Sequence, residues 1–187
     1  MAIDRAACAA LRVVHTVGHS TREVEVFLAL LAAHAIGRVV DVRRWPASRR
    51  HPHFAREPLA RALGASGVEY VWREDLGGYR SPGPDSPNTA WRVGAFRAYA
   101  DFMLTPAFDR SMAALERLVG ERRSAILCAE AVPWRCHRQL LADALIVRGW
   151  PVRHILDHGC SEHHLPPFAH ATGTRILYGA EGAPDLA

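Results

Sequence analysis

Short runs of β-branched and apolar residues alternate with amphipathic helical segments, and this alternation constrains the fold more than any other feature of the chain. The runs that predict strands are RVVHTVG (12–18), RVVDVR (38–43), VEYVW (68–72), SAILC (124–128) and PVRHIL (151–156). Strands separated by helices are typical of a parallel sheet with both faces covered. We therefore predict an α/β fold, a three-layer sandwich with a mainly parallel, Rossmann-like sheet in the strand order 3-2-1-4-5.

The chain length favours a single domain. The 187 residues, 49% of them hydrophobic, can bury a core of their own, and we place it from about residue 12 to about residue 178, between frayed termini. The longest apolar run, 26–33, is too short to cross a bilayer. The first residues lack the pattern of a secretory signal, so we expect a cytoplasmic protein that does not associate with membranes.

Several residues predict where elements begin. Ser20 with Glu23 forms a capping box ahead of the first helix, and Thr105 before Pro106 starts a later one. Pro133 predicts a helix that continues to about residue 148, and a last short strand is expected at 175–178. The ligand of such a sheet lies outside the carboxyl ends of the strands, in the loops after residues 18, 43, 72, 128 and 156.

The segment CAEAVPWRCHR (128–138) carries the sharpest group of candidate residues. Cys128 ends a predicted strand, and Cys136 falls in the predicted first turn of a helix, where unpaired N–H groups lower the pKa of a thiol. We therefore predict two catalytic thiols, with Cys136 the more reactive. Arg135, His137 and Arg138 are the neighbouring candidates for binding an anionic substrate.

Other interpretations of these thiols stay open. Both could be inert, with Cys128 a buried strand-end residue and Cys136 a small apolar filler. Cysteine phosphatases and rhodaneses place an arginine six positions after a strand-end cysteine, but Trp134 occupies that position here. Thiolates and imidazoles also bind zinc or iron, and His19 or His164 could complete such a site with the two cysteines. The motifs do not specify a cofactor.

Residues at other strand ends complete the predicted site. His19 follows the glycine that ends the first strand and is a candidate general base or ligand, which Asp41 would orient. Glu130 is a candidate acid or ligand, and Arg43 and Ser48 are candidates for binding the anion. Because parallel strands end at one edge of a sheet, we expect these side chains to converge on one ligand, a small anionic or phosphate-bearing molecule.

A nucleic-acid or nucleotide binding module is the alternative from another functional class. All 23 basic residues are arginine, the net charge is +4 and the pI is about 9.2, which gives weak support for an anionic partner. In this alternative the thiols are structural, and a basic surface with stacking rings binds the ligand. Its residues would be Arg43, Arg49, Arg50, Arg56, Trp45 and Phe54.

An ordered series of motifs runs through nearly the whole chain, from about residue 14 to residue 178. The motifs are TVGHS (16–20), DVR (41–43) with Pro46 and Ser48, LGG (76–78), FRAYA (96–100) and CAEAVPWRCHR (128–138). In this series the chain resembles the domain of unknown function 488 family. The resemblance implies a compact prokaryotic α/β domain and brings no settled reaction. We expect an enzyme with an anion-binding Cys/His/Arg active site, or else the binding module, or a metal-binding hydrolase with His and Cys ligands.

Overall fold

The computed structural model describes residues 13–47, 49–81, 83–157 and 159–179. Five of its strands are parallel: β1 (Val14–Gly18), β2 (Arg38–Asp41), β3 (Glu69–Trp72), β4 (Ser124–Cys128) and β5 (Val152–Leu156). An antiparallel strand, β6 (Gly159–Glu162), extends the sheet to the order β3-β2-β4-β1-β5-β6. The prediction of a mainly parallel α/β sheet is therefore confirmed.

The predicted strand order is wrong at the centre of the sheet, because β4 lies between β1 and β2. Cys128 in β4 stands opposite Gly18, and Leu127 stands opposite Asp41. All residues of β1, β2 and β4 are buried, so composition does not indicate which of these strands lies at the centre of the sheet. The short connection between β1 and β2 does not make them neighbours. The observed order places the loop after β4 between the loops after β1 and β2.

Helices cover both faces of the sheet. One face carries α1 (Val24–Ala33) and α2 (Arg56–Ala65), and the other carries α3 (Gly94–Met103), α4 (Pro106–Glu121) and α5 (Arg138–Val147). Neighbouring strand residues serve the two faces in turn, so Val39 packs with the first layer and Val40 with the second. Among the described residues, no helix combines the length and apolarity that a bilayer span requires.

The start of α4 follows the prediction, and the start of α1 does not. Thr105 is the N-cap of α4, and its hydroxyl oxygen accepts the Phe108 N–H at 3.2 Å. The predicted capping box before α1 is wrong, since the helix begins after Glu23 without a side-chain cap. Ser20 instead has a positive φ of 51°, and its N–H donates to the Ala129 carbonyl in the loop after β4.

The C-terminal part of the chain holds more regular structure than the sequence predicts. The strand expected at its end is present as β8 (Arg175–Tyr178), and it pairs antiparallel with β7 (Ala169–Thr172). Sequence reasoning missed β6 and β7. Their sequences, GCSE and AHAT, are short and largely exposed, and they lack the apolar alternation that marks a strand.

A chain of buried side chains attaches this region to the core. The Thr16 hydroxyl lies 2.7 Å from His154 Nδ1, and His154 Nε2 lies 3.0 Å from His163 Nδ1. Asp143 ends the chain and accepts from His163 Nε2 at 2.6 Å and from the Tyr178 hydroxyl at 2.7 Å. With both imidazoles neutral, one choice of tautomers gives every bond a donor. We call these five side chains the buried relay.

Candidate functional site

The loops after β1, β2 and β4 border a cavity of about 420 Å³ at the carboxyl edge of the sheet, a volume in the range of small-molecule sites. Seven residues of the predicted site line it: His19, Arg43, Cys128, Glu130, Arg135, Cys136 and His137. Two others lie behind the wall and are fully buried, Asp41 beneath Arg43 and Arg138 at the start of α5. The central place of β4 explains the convergence, because its loop reaches the loops on either side.

The two thiols and one imidazole form a cluster in this wall. Cys128 and Cys136 are both buried, and their sulfur atoms lie within 4.8 Å of each other. His137 Nδ1 lies 3.9 Å from the Cys128 sulfur and 3.7 Å from the Cys136 sulfur. A side chain at Gly78 would bring its Cβ to 3.1 Å from the same nitrogen, so a glycine leaves the imidazole its place.

Residues 133–137 do not begin the helix as predicted. Pro133–Arg135 form a single 3₁₀ turn, Cys136 is extended with φ −141° and ψ 146°, and α5 begins only at Arg138. The prediction failed because the fixed φ of proline starts a 3₁₀ turn as readily as an α-helix. Cys136 therefore lies outside the first turn of the helix.

The electrostatics of the pair favour the opposite ranking of the two thiols. Burial raises the pKa of Cys136 well above its ordinary value, and the neighbouring Cys128 raises it further. The hydrogen bond from Cys136 is the main cause that lowers the pKa of Cys128 well below its ordinary value, with His137 and Arg138 acting in the same direction. These directions favour a negative charge on Cys128, with Cys136 as the donor.

Arg138 supplies the opposing charge. Its NH2 donates to the Ala131 carbonyl at 2.8 Å, whereas Nε and NH1 have no hydrogen-bond partner in the described parts of the chain. No carboxylate among those residues forms an ion pair with it. A buried cation without a counter-charge is strongly unfavourable, so a negative charge on Cys128 stabilises this arrangement.

His19 is a neutral acceptor in this structure. Its Nδ1 donates to the Ser20 carbonyl at 2.9 Å, which leaves Nε2 to accept from Arg43 NH1 at 3.2 Å. Burial, and then the charge of Arg43, lowers the pKa of His19 to about 4. The ring also stacks on Phe54 at a centroid distance of 4.3 Å. Its acceptor nitrogen is therefore occupied by Arg43.

Asp41 orients Arg43 and forms no hydrogen bond of its own with His19, which differs from the prediction. Both of its carboxylate oxygens accept from the guanidinium, at distances from 2.5 to 3.1 Å, and the Tyr70 hydroxyl donates to it at 2.7 Å. Arg43 NH1 also donates to the Phe54 carbonyl at 2.8 Å. The Arg43 guanidinium is thereby committed to protein partners, which weakens its candidacy for binding a ligand.

The stability of the fold should decrease in acid because of buried histidines. Burial is the main cause that lowers the pKa of His15 and His19 to about 4 and that of His154 to about 3. At pH values below 6.5, the ordinary histidine pKa, these side chains bind protons in the unfolded chain. In the folded chain they do so only near pH 4, so stability falls as the pH decreases across this interval. We expect a loss of up to about 1.4 kcal/mol per pH unit for each histidine.

Urea unfolding at several pH values between about 7 and about 4 measures this dependence. The variant His15→Asn should have a smaller slope by the contribution of one histidine. An unchanged slope in that variant would contradict the assignment of His15 to the acid-sensitive groups.

Three of these residues have the geometry of ligands to one cation. The ligand atoms of Cys128, Cys136 and His137 lie within 4.8 Å of one another. The sulfur–nitrogen distances are close to the ~3.5 Å that a tetrahedral zinc site implies, given Zn–S and Zn–N bonds of about 2.3 and about 2.0 Å. The other predicted metal candidates do not join them, because His19 faces Arg43 and His164 is exposed, away from the cavity wall.

The mouth of the cavity holds residues that sequence reasoning did not assign to a catalytic site. Arg44, Trp45, Tyr79 and Phe96 all line it. Of these, only Trp45 belongs to a predicted site, the nucleic-acid alternative. The double glycine 77–78 was a usable signal, because two glycines in a row let a loop approach other backbone closely, and Tyr79 follows them directly.

The remaining predicted residues that the structure describes do not line the cavity. Ser48 lies outside the described residues. Arg49 and Arg50 are exposed, and the Arg56 guanidinium stacks over the Trp72 ring at 4.2 Å. Phe54, expected as an exposed stacking ring, is fully buried, and Arg43 is buried as well, so both are missing from the proposed nucleic-acid surface.

Comparison with known proteins places the core of this site in a family. The family model described as "Domain of unknown function DUF488" matches residues 23–145. The matched segment runs from the residue before α1 into α5 and includes the cysteine loop, whereas His19 precedes it. Neither the curated proteins nor the solved structures contain a match to the chain.

Proposed function

Since the chain belongs to the DUF488 family, whose description assigns no reaction, we propose from the site itself an enzyme that attacks a small anionic substrate with the thiolate of Cys128. One observation carries this proposal. Arg138 is fully buried beside the thiol pair, two of its donor atoms have no partner among the described residues, and its charge is balanced if Cys128 is ionised. A thiolate is the nucleophilic form of cysteine, and this one lines a cavity.

The neighbours of Cys128 have distinct roles in the proposed reaction. Its sulfur gives an electron pair to the electrophilic atom of the substrate, and the leaving group departs with the electron pair of the broken bond. The Cys136 S–H holds the thiolate by a hydrogen bond until the attack. Glu130, exposed on the cavity wall, is the candidate for proton exchange with the leaving group. His19 and Asp41 act as positioning residues through Arg43.

Arginines at the cavity support an anionic substrate. Arg135 is exposed and forms no ion pair with any described carboxylate, and Arg44 pairs only with the exposed Glu74 at 3.6 Å. Among the described residues of the wall, Glu130 is the one acidic side chain, and Asp41 already balances Arg43. The free charge that faces a ligand is therefore positive, which favours a carboxylate or phosphate group.

A metal-assisted hydrolase is the second candidate function. The observation that favours it is the close approach of Cys128, Cys136 and His137, whose three ligand atoms would leave one position of a tetrahedral ion for water or substrate. Zinc in that position would supply an activated water in place of a thiolate nucleophile. The nucleic-acid alternative has less support, because Phe54 and Arg43 are buried.

Alkylation with iodoacetamide, followed site by site with mass spectrometry, tests the thiolate. We expect Cys128 to react at pH 7 faster than the exposed Cys160, whose pKa is raised by burial of its thiol. Cys136→Ala should raise by about one unit the pKa that the pH dependence of this reaction reports for Cys128, and should slow the reaction about tenfold at pH values below that pKa. Cys160→Ser is the matched control and should leave that rate unchanged.

Two outcomes would redirect the proposal. If Cys128 reacts only after denaturation, the thiolate mechanism is overturned. If purified protein carries about one zinc ion per chain, and Cys128 reacts only after chelation, the metal-assisted candidate replaces it.

A further inference from the structure

We propose that the substrate carries a planar ring beside a phosphate group, as a nucleotide does, and that Trp45 and Tyr79 bind this ring at the mouth of the cavity. The inference deepens the proposed function by naming the substrate class. It rests on the proposed function only for the question of which end of the substrate reacts with Cys128.

The two rings form an exposed pair. Trp45 is 63% exposed and Tyr79 is 83% exposed, yet their centroids lie 5.1 Å apart with the planes inclined at 45°. Both line the cavity. Large aromatic side chains exposed together at a concave site mark a surface that a ligand covers.

The loop that carries Tyr79 is held in an unfavourable backbone conformation. Tyr79 has a φ of 60°, in the left-handed region that bulky residues rarely occupy. A Cβ at Gly77 would lie 2.9 Å from the Arg44 Cα, and one at Gly78 would lie 3.1 Å from His137 Nδ1. The double glycine therefore lets the loop lie close to Arg44 and His137. This places Tyr79 in contact with Trp45, the residue that follows Arg44. Strain of this kind is found at ligand sites.

Contacts on the far side of Tyr79 fix the same loop. The Arg80 guanidinium stacks on the Phe102 ring at 3.3 Å from its centroid and donates to the Asp75 carbonyl at 2.9 Å. The aromatic pair is therefore held in place before a ligand arrives, which reduces the entropy lost on binding.

The spacing of the rings decides how a third ring would bind. Insertion between two rings requires about 7 Å, twice the ordinary contact distance, so the observed pair is too close for that. The substrate ring would stack on the side of the pair that faces the cavity. Arg44 and Arg135 line the same cavity and can bind a phosphate with their paired N–H donors.

Isothermal titration calorimetry with AMP as the probe tests the inference. Adenosine and ribose 5-phosphate serve as its two halves. We expect AMP to bind at least about tenfold more tightly than either half, since stacking of one base on an aromatic side chain contributes a factor of that order or more. Trp45→Ala should weaken AMP binding by the same factor and leave ribose 5-phosphate unaffected.

Two further variants separate the contribution of the aromatic pair to binding from that of the arginines. Arg135→Ala should weaken both AMP and ribose 5-phosphate and leave adenosine unchanged. Trp134→Ala is the matched control, because Trp134 is also exposed, at 61%, but does not line the cavity. It should leave all three affinities unchanged.

The inference is overturned if AMP shows no binding at about 1 mM, or binds no more tightly than ribose 5-phosphate, or loses no affinity in Trp45→Ala. Cys128→Ser should retain AMP binding, so the two proposals can fail separately. If Cys128 is reactive but AMP binds no more tightly than ribose 5-phosphate, only the proposed function is retained. Tight AMP binding with an inert Cys128 would leave only the ring site.

Discussion

Gly18→Ala should destabilise the fold by about 3 kcal/mol or more. A Cβ at Gly18 would lie 1.7 Å from the Glu130 carbonyl oxygen and 2.7 Å from Arg138 NH1. The carbonyl cannot retreat freely, because the two residues after Gly18 donate their N–H groups to the Cys128 and Ala129 carbonyls at 3.1 and 2.8 Å. The alanine methyl group and the Glu130 carbonyl oxygen would therefore overlap at the centre of the site.

Denaturant unfolding measures this effect, and Gly64→Ala is its matched control. Gly64 lies within α2, and a methyl group there would meet nothing within 4 Å beyond its chain neighbours and the helix backbone, so alanine should stabilise the helix by about 0.5–1 kcal/mol. If Gly18→Ala changes the free energy of unfolding by less than about 1 kcal/mol, the loop after β4 is not tied to β1 as described.

Asp143→Ala should cost about 2–6 kcal/mol of stability, because it leaves two buried donors unsatisfied at about 1–3 kcal/mol each. Asp143 is the acceptor at the end of the buried relay, and its loss leaves His163 Nε2 and the Tyr178 hydroxyl without a partner. Both partners are buried, so water does not replace the carboxylate readily. Urea unfolding of the variant at neutral pH gives the value.

Asp109→Ala is the comparison for Asp143→Ala. Asp109 pairs with the cationic Arg148 at 2.7 Å, but its own side chain is 53% exposed. An exposed pair of this kind contributes about 1 kcal/mol or less. Equal losses in the two variants would show that the buried relay adds no more than a surface ion pair.

The fold class could be predicted because the evidence for each parallel strand is local. SAILC and PVRHIL need no distant information to indicate buried strands, and both are strands in the structure. The order of the strands could not be predicted, because β1, β2 and β4 are equally buried and their local sequences do not indicate which pair is adjacent. The relay was missed because its members are far apart in sequence, as the 138 positions between Thr16 and His154 illustrate.

The location of the site was accessible from sequence, and the behaviour of its residues was not. Parallel strands end at one edge, so the strand pattern alone predicts that His19, Glu130 and the cysteines lie together. The hydrogen bonding and ring stacking of His19 depend on Arg43 and Phe54, which contact it from another loop. The ranking of the thiols depends on a hydrogen bond between Cys128 and Cys136, and no spacing rule predicts its direction.

The buried guanidinium of Arg138 also bears on what happens after the proposed attack. A covalent adduct turns the Cys128 sulfur neutral and removes the negative charge that faces Arg138. The adduct is then stable only if the attached molecule brings an anionic group of its own close to the guanidinium. Discrimination between substrates would therefore act on the lifetime of the intermediate. A neutral compound that reached the thiolate would form an adduct that breaks down quickly, as water or the returning leaving group attacks it and Cys128 leaves as a thiolate.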